Sequence, residues 1–458
     1  MKGLIKKGIC IAMVSVFFIG CFACSKEGGA DVVAGEKPIY EKGEVMPIHA
    51  YCPPLATAPR LQDYLDAGLN TFFMTEDYNA GIGSEEYLNQ LALCQEMGLD
   101  VIIYSYDHHN IPGLYEYSGT DNCYLDLINF NLEDYPAIKG IYMWDEPSYK
   151  KFDELYNKLG TRYNEKYKNE YPWHVNLLPS YAAPGQQLGV VGDANESAYE
   201  KYIKGYFEKV HSKIEGENKL ISLDHYPLRK SGEYKYISTS WLYDLAVFTK
   251  EASKYSGKYG CYIQTYAEGS GVRKTESSAD IGIQVYSSLA FGVQYMGMYH
   301  YTSFEGSRGM VEGNGKLNDT YYHVQKVLKD VHSFEHAYLS FDWKGVMPVI
   351  GALNEKGSNE CFKGMEKYSL RSLPGVSNVV GRDDALIGYF VDDKGRNGYM
   401  VANFSDPVNG VTNVVELEMK DYAKALVYID GEEVCADVIG GKLRIVLPKG
   451  EGAFVVPY

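Results

Sequence analysis

Short apolar runs alternate with amphipathic stretches along most of this chain. Eight runs, at 46–52, 70–76, 100–106, 138–144, 173–179, 220–226, 259–266 and 293–301, have the length and pattern of buried strands. The stretches between them carry helical spacing, as in RLQDYLDAG, SEEYLNQLALCQEMG, KKFDELYNKLGTRYNEKYK and SAYEKYIKGYFEKVHSKI. Ser84 before Glu85 and Glu86 marks a helix start, and Gly98 a helix stop. Strands alternating with helices pair in parallel through crossovers. Eight such units predict an α/β fold, a (β/α)8 TIM barrel over residues 45–340. A doubly wound open sheet uses the same units, but no G-x-G-x-x-G or Walker-type loop follows the first strand.

After the helical pattern of 321–340 the texture changes. Residues 341–458 are short β-type runs divided by Asp393-Lys394-Gly395, Asp430-Gly431 and Gly440-Gly441, which is hairpin chemistry. This C-terminal part reads as an all-β sandwich, expected to be separable from the barrel by limited proteolysis. Asp392-Asp393 reads as a hairpin tip rather than a cation site.

The first 24 residues run from Lys2, Lys6 and Lys7 through an apolar stretch to small residues and a cysteine, followed by polar SKEGGADVVAGEK. This segment, 1–24, resembles a bacterial lipoprotein signal peptide. The resemblance implies lipidation at Cys24 or Cys21, a flexible tether over 25–44, and an extracytoplasmic body anchored to a membrane. A plain secretory signal or an uncleaved anchor is the other reading. The remaining cysteines (Cys52, Cys94, Cys123, Cys261, Cys361 and Cys435) show no CxxC and no metal-type spacing, so buried free thiols are expected.

Charge removes one class of partner. Against 44 Lys and Arg stand 60 Asp and Glu, a net charge of −16, with no basic stripe to hold a nucleic acid. Tyrosine is abundant, 42 residues against 17 Phe and 4 Trp, and its apolar face with a hydroxyl suits a wet binding cleft. HExxH, G-x-S-x-G and phosphate-cradling loops are missing, which argues against a zinc protease, an α/β-hydrolase and a nucleotide enzyme. No cofactor and no metal are expected, because Asp107-His108-His109 has no third ligand at recognisable spacing.

In a TIM barrel the reacting groups lie at the C-terminal strand ends. Here those ends hold His49 and Tyr51; Glu76 and Asp77; Asp107, His108 and His109; Trp144, Asp145 and Glu146; Asn176, Ser180 and Tyr181; Asp224, His225 and Tyr226; Gln264, Tyr266 and Glu268; and Tyr299, His300 and Tyr301. The opposite ends are mostly Gly, Lys and Asn. Within GIYMWDEPS an extended strand would turn Tyr142, Trp144 and Glu146 to one face.

The Asp145-Glu146-Pro147 end of the fourth strand resembles the Asn-Glu-Pro acid/base motif of clan A glycoside hydrolases, with Asp145 in place of Asn. Eight strand–helix units, a long fifth loop and a trailing sandwich are similar to β-galactosidase-type members of that clan. The resemblance implies a glycosidase in which Glu146 is the general acid/base. It also implies a nucleophilic Glu at the end of strand seven, where this chain has Gln264. Glutamine forms no glycosyl ester, so the second carboxylate is sought at Glu268, of the same parity, or at Asp224. Whether the pair would act by retention or inversion stays open at this stage.

Carbohydrate is the expected partner, held by His49, Tyr51, Asp107, Trp144, Asp145, Asn176, His225, Tyr226, Gln264, Tyr266, Tyr299 and Tyr301. A second reading treats Gln264 as the mark of lost chemistry and the chain as a non-hydrolytic carbohydrate-binding lipoprotein. A third is a lyase with a Tyr or His base.

Overall fold

The computed structural model describes residues 35–458 apart from 76–79, 105–124, 126–127, 168–169, 183–184, 186, 269–270 and 273–274. The signal-type segment therefore lies outside the described residues, and no helix among the described residues is long and apolar enough to cross a membrane.

Eight strands form one parallel sheet: β1 (Ile48–Ala50), β2 (Thr71–Thr75), β3 (Asp100–Tyr104), β4 (Ile138–Asp145), β5 (Trp173–Leu177), β6 (Lys219–Asp224), β7 (Lys258–Gln264) and β8 (Tyr295–Tyr299). Their order is β1-β8-β7-β6-β5-β4-β3-β2. Asn70 bridges the remaining gap: its N–H donates to the Ile48 carbonyl at 3.0 Å, and its Oδ1 accepts from the Ile48 N–H at 2.8 Å. The sheet thus closes into a (β/α)8 barrel, and an all-β sandwich follows it.

Barrel strands bury both faces, so they read as continuous apolar runs. Outward residues such as Val101, Ile141, Val175 and Leu223 pack under the helices. Inward residues are large and aromatic: Phe73, Tyr104, Tyr142 and Tyr295 fill the interior with Ile102 and Leu220. Two glycines make room for them. A Cβ on Gly260 would sit 2.3 Å from the Tyr295 ring, and one on Gly297 would sit 2.4 Å from the Tyr262 ring. His49 is also interior, with Nε2 3.0 Å from the Tyr262 hydroxyl and Nδ1 2.7 Å from that of Tyr295. Burial pushes its pKa down to about 3, so it is a neutral packing residue and is not brought to the cleft.

Helix ends follow the sequence signals. Ser84 Oγ accepts from the Tyr87 N–H at the start of α1 (Glu85–Glu96), and Gly98 has φ 77° just beyond its end. Ser197 and Glu200 form a capping box on α2 (Ala198–Lys209). Cys94, Cys261 and Cys361 are buried free thiols, and Cys435 is exposed.

The sandwich has a six-stranded sheet, with Phe341–Val349, Ala385–Asp392, Asn397–Asn403, Gly452–Pro457, Lys424–Ile429 and Glu432–Asp437 in that spatial order. A three-stranded sheet of Asn378–Gly381, Asn413–Glu418 and Lys442–Leu447 covers one face of it. Alternate residues divide the labour. Ile387, Tyr399, Val401 and Val455 fill the space between the sheets, while Leu386, Phe390, Met400 and Phe454 join the barrel core.

Helix α3 (Ser278–Ala290) lies at that junction. A Cβ on Gly282 there would come within 1.9 Å of the Gly450 carbonyl oxygen. Each such side chain withdrawn from water is worth about 1.5–3 kcal/mol. Cutting the sandwich away would expose a row of them, so the separability expected from sequence does not fit this shared core.

Three local features depart from the pattern reading. A hairpin, Leu228–Ser231 with Tyr234–Ile237, follows β6; a short helix, Glu360–Met365, interrupts the all-β part; and a π-type turn at Tyr156–Gly160 breaks the helical run after β4.

Candidate active site

Strand β4 decides the geometry. Its pairing with β5 matches Tyr142 to His174 but Trp144 to Val175, a β-bulge that takes up Met143. One extra residue reverses the alternation beyond it. Tyr142 and Asp145 therefore share the inner side, where the Tyr142 hydroxyl donates to Asp145 Oδ1 at 2.8 Å. Trp144 turns outward into the core, 5% exposed. The predicted common face of Tyr142, Trp144 and Glu146 is thus corrected, and Trp144 is not a cleft residue.

Glu146 follows with φ 50°, a left-handed backbone that costs a non-glycine residue of order 1–3 kcal/mol and concentrates at functional sites. Its N–H continues the ladder to the Asn176 carbonyl at 3.0 Å, and Pro147 then leads the chain away. This turn leaves Glu146 open to solvent at the mouth of the barrel.

Beneath it, Asp145 is fixed by a chain of hydrogen bonds. Asn176 Nδ2 donates to Asp145 Oδ1 at 3.1 Å, Ser222 Oγ donates to Asn176 Oδ1 at 2.9 Å, and His174 Nε2 lies 3.1 Å from Ser222 Oγ. Burial raises the Asp145 pKa, and hydrogen bonds from Tyr142, Asn176 and Tyr51 oppose the rise. Both polar atoms of the Asn176 side chain are thereby engaged, so Asn176 positions Asp145 rather than reaching a ligand.

From the end of β6, Asp224 comes within hydrogen-bonding reach of Glu146. Asp224 is 6% exposed; Tyr226 donates to its Oδ2 at 3.3 Å, and its Oδ1 has no donor among the described residues. Both carboxyls are pushed up. Burial is the first cause in each, followed for Asp224 by the Glu146 charge and for Glu146 by the Asp145 charge. Glu146 rises to about 7. Two carboxylates this close do not both ionise easily, and the pair holds a proton near neutral pH.

Tyrosines line the opening. Tyr226 lies 5.1 Å from both Tyr266 and Tyr299, ring centre to ring centre, and Tyr51 lies 5.6 Å from Tyr299. Tyr181 stands at the rim, 47% exposed. Tyr301 is instead buried against Tyr64, 5.2 Å away, outside this ring.

Gln264 is fully buried and its amide faces the backbone of Leu228 and Tyr266. Its Oε1 accepts from the Leu228 N–H at 2.8 Å, while Nε2 donates to the Leu228 carbonyl at 3.3 Å and the Tyr266 carbonyl at 3.4 Å. An amide can serve both the N–H and the carbonyl of one residue; a carboxylate cannot. Here Gln264 ties the hairpin after β6 to the end of β7 and is not brought to the cleft. Gln264→Glu is expected to lower unfolding stability by about 1–3 kcal/mol, because it leaves buried carbonyls without a donor. A fall in the denaturant midpoint of the purified variant checks this.

His225 is similarly withdrawn. Its ring is 1% exposed, with Nδ1 2.6 Å from Asp244 Oδ2 and Nε2 3.0 Å from Ser238 Oγ. For Glu268, the backbone of Ala267–Glu268 pairs with Ser307–Arg308, but its side chain lies outside the described residues. Glu76, Asp77, Asp107, His108 and His109 also lie outside them. Among the described residues no group of three or more His, Cys, Asp or Glu could hold a metal.

A second concavity, of about 920 Å³, lies at the opposite end of the barrel against the sandwich. Lys139, Lys219, Lys258 and Trp343 line it, and it holds none of the predicted site residues. In this fold that end serves stability.

The residues missed by sequence reading are Tyr262 and Ser222 in the supporting network, and Asp244 behind His225. Asp244 had a visible signal: a carboxylate within the apolar helical run WLYDLAVF.

No family profile matches this chain, and no curated protein sequence matches it. Solved structures similar to it include an exo-β-1,4-mannosidase from an Opitutaceae bacterium, at 12% identity and TM-score 0.41, covering 64% of this chain and 60% of that one. A family 44 endoglucanase from Clostridium acetobutylium is similar at 10% identity and TM-score 0.40, covering 89% and 97%. An alpha-amylase from Anoxybacillus is similar at 10% and 0.37, covering 87% and 89%. These are likenesses of fold.

Proposed function

We propose that this chain is a glycoside hydrolase acting on oligo- or polysaccharide, with Glu146 as general acid/base and Asp224 as the second carboxylate. The observation that carries the reading is the pair itself: two carboxyls from the ends of β4 and β6, within hydrogen-bonding reach, at the mouth of the barrel. Glycoside hydrolysis needs a proton for the leaving oxygen and a carboxylate at the anomeric carbon. A raised Glu146 pKa suits the first task, and Asp224, itself raised by burial and by Glu146, serves the second once the proton they share sits on Glu146. Asp145, held from below, would receive sugar hydroxyls, and Tyr51, Tyr226, Tyr266 and Tyr299 would offer ring faces to sugar C–H groups.

Inverting enzymes separate their carboxyls by about 6.5–9.5 Å to admit a water, whereas retaining pairs lie about 5 Å apart. The proximity of Glu146 and Asp224 is nearer the retaining arrangement, with a glycosyl ester on Asp224, and substrate would have to part the pair in either case. Turnover of a broad panel of oligosaccharides and aryl glycosides by the purified mature chain tests the reading. Saturable binding with no turnover on that panel would replace it with the carbohydrate-binding lipoprotein.

We also propose that the mature chain is exported and lipid-anchored. The support is the sequence of residues 1–24 alone. Metabolic labelling with a fatty acid is expected to mark the wild type and to fail when Cys21 and Cys24 are both changed to Ser. An unlabelled wild-type chain recovered from the cytoplasm would end this reading.

A further inference from the structure

Behind the carboxylate pair lies a group of side chains that the glycosidase chemistry does not use. Asp244 Oδ2 accepts the Ser180 N–H at 2.8 Å and lies 2.6 Å from His225 Nδ1. An oxygen already accepting one N–H accepts a second, so His225 carries its proton on Nδ1 and presents a bare Nε2. That Nε2 lies 3.0 Å from Ser238 Oγ. Asp244 and the His225 ring are 0% and 1% exposed, whereas Ser238 is partly exposed.

Acid, imidazole and hydroxyl thus stand in the order and spacing of a nucleophilic triad, which is recognised by geometry and not by chain order. Ser238 occupies the turn between the strand Tyr234–Ile237 and the twelve-residue helix Trp241–Ala252. Ser240 gives that helix no side-chain cap; the Trp241 N–H donates to the Ser238 carbonyl at 3.2 Å, so the first-turn N–H groups of the kind that receives an oxyanion are those of Leu242 and Tyr243.

We propose that Ser238, His225 and Asp244 form a second catalytic site, one that cleaves short-chain carboxylic esters carried on sugar hydroxyls. Ser238 Oγ bonds to the ester carbonyl carbon as its proton passes to His225 Nε2. The carbon–oxygen bond to the sugar then breaks, and the sugar hydroxyl leaves with that proton. Water repeats the sequence on the acyl-serine: its proton goes to Nε2, its oxygen to the acyl carbon, and the acid leaves as Ser238 is restored. Ester and water give acid and alcohol, with no further reactant. Asp244 is a positioning residue that holds the tautomer.

The sugar as carrier follows from place. His225 directly follows Asp224, and Tyr181 at the cleft rim packs edge-on against the His225 ring at 4.9 Å and beneath Arg229 at 5.6 Å. The chemistry stands apart from the glycosidase reading, and only the choice of a sugar ester rests on it.

The test uses p-nitrophenyl acetate, a peracetylated monosaccharide and a fluorophosphonate probe on the full mature chain. Acetate release from both esters is expected, falling at least about 100-fold in Ser238→Ala. The probe should leave its adduct on Ser238, read by peptide mass, without dependence on any variant folding. Asp244→Asn should lower kcat far more than it changes KM and should alter the pH profile. Release from p-nitrophenyl acetate alone would keep the triad and remove the sugar. Release with no glycoside turnover would keep the triad and remove the glycosidase. Ester turnover that survives Ser238→Ala, or no release with no adduct in the wild type, would overturn the proposal.

Discussion

Glu146→Gln is expected to reduce hydrolysis of glycosides with poor leaving groups by about 10²–10⁴-fold while leaving oligosaccharide affinity within a few fold. Glutamine keeps the size and the hydrogen-bonding reach of glutamate but has no proton to give. Aryl glycosides with acidic phenols should lose far less in the first step, because their leaving group departs with little help. The wild-type pH profile should carry the same signature. Glu146 must be protonated to act as acid, and its pKa is raised to about 7, so the rate should fall as pH rises through that value. In Glu146→Gln that alkaline limb should vanish. Steady-state rates on paired aryl and alkyl glycosides, with affinity by calorimetry, check both. Equal losses on the two substrate types would remove Glu146 from the acid's role.

Much of this arrangement was legible in the chain because barrel strands are apolar on both faces and their ends are not. All eight runs became strands, displaced by a few residues at most. Parity was safe wherever a strand was regular: Asp224 follows Leu220 and Ser222 on the inner side of β6. It failed at β4, where the bulge at Met143 reversed the sides of Trp144 and Asp145, and nothing in IKGIYMWD announces a bulge.

Gln264 was legible as a departure but not as an anchor, since its partner is the backbone of Leu228 on a hairpin the pattern missed. That hairpin, LRKSGEYKYI, is too polar to read as strand; only its Ser231-Gly232 turn signals it. His49 and His225 looked like ligand residues at strand ends, yet His49 is held within the protein by tyrosine hydroxyls and His225 by a carboxylate and a serine. Polar residues at barrel ends divide between those that face the opening and those that hold them in place, and spacing alone does not separate the two.

Asp224→Asn is the second large effect and the one that assigns mechanism. In the wild type the Glu146–Asp224 pair shares a proton: Glu146 raises Asp224, while the hydrogen bond from Asp224 holds Glu146 lower than burial and the Asp145 charge alone would leave it. Removing the Asp224 carboxyl removes that lowering, so the Glu146 pKa should rise and the alkaline limb of any residual activity should move to higher pH. If Asp224 is the nucleophile, the amide cannot form the glycosyl ester, and turnover should fall by at least the same 10²–10⁴ expected for Glu146, on aryl and alkyl glycosides alike. The shortened variant Asp224→Gly makes the argument chemical. Azide entering the vacated space should attack the anomeric carbon of an activated glycoside and restore release of the phenol, giving a glycosyl azide of inverted configuration. The wild type, by contrast, should release product sugar of retained configuration, as nuclear magnetic resonance of the nascent anomer would show. An inverted wild-type product would instead make Asp224 the base that activates water, and would require substrate to part the two carboxyls further. Asp224→Asn turning over at the wild-type rate would send the search for the partner to Glu268.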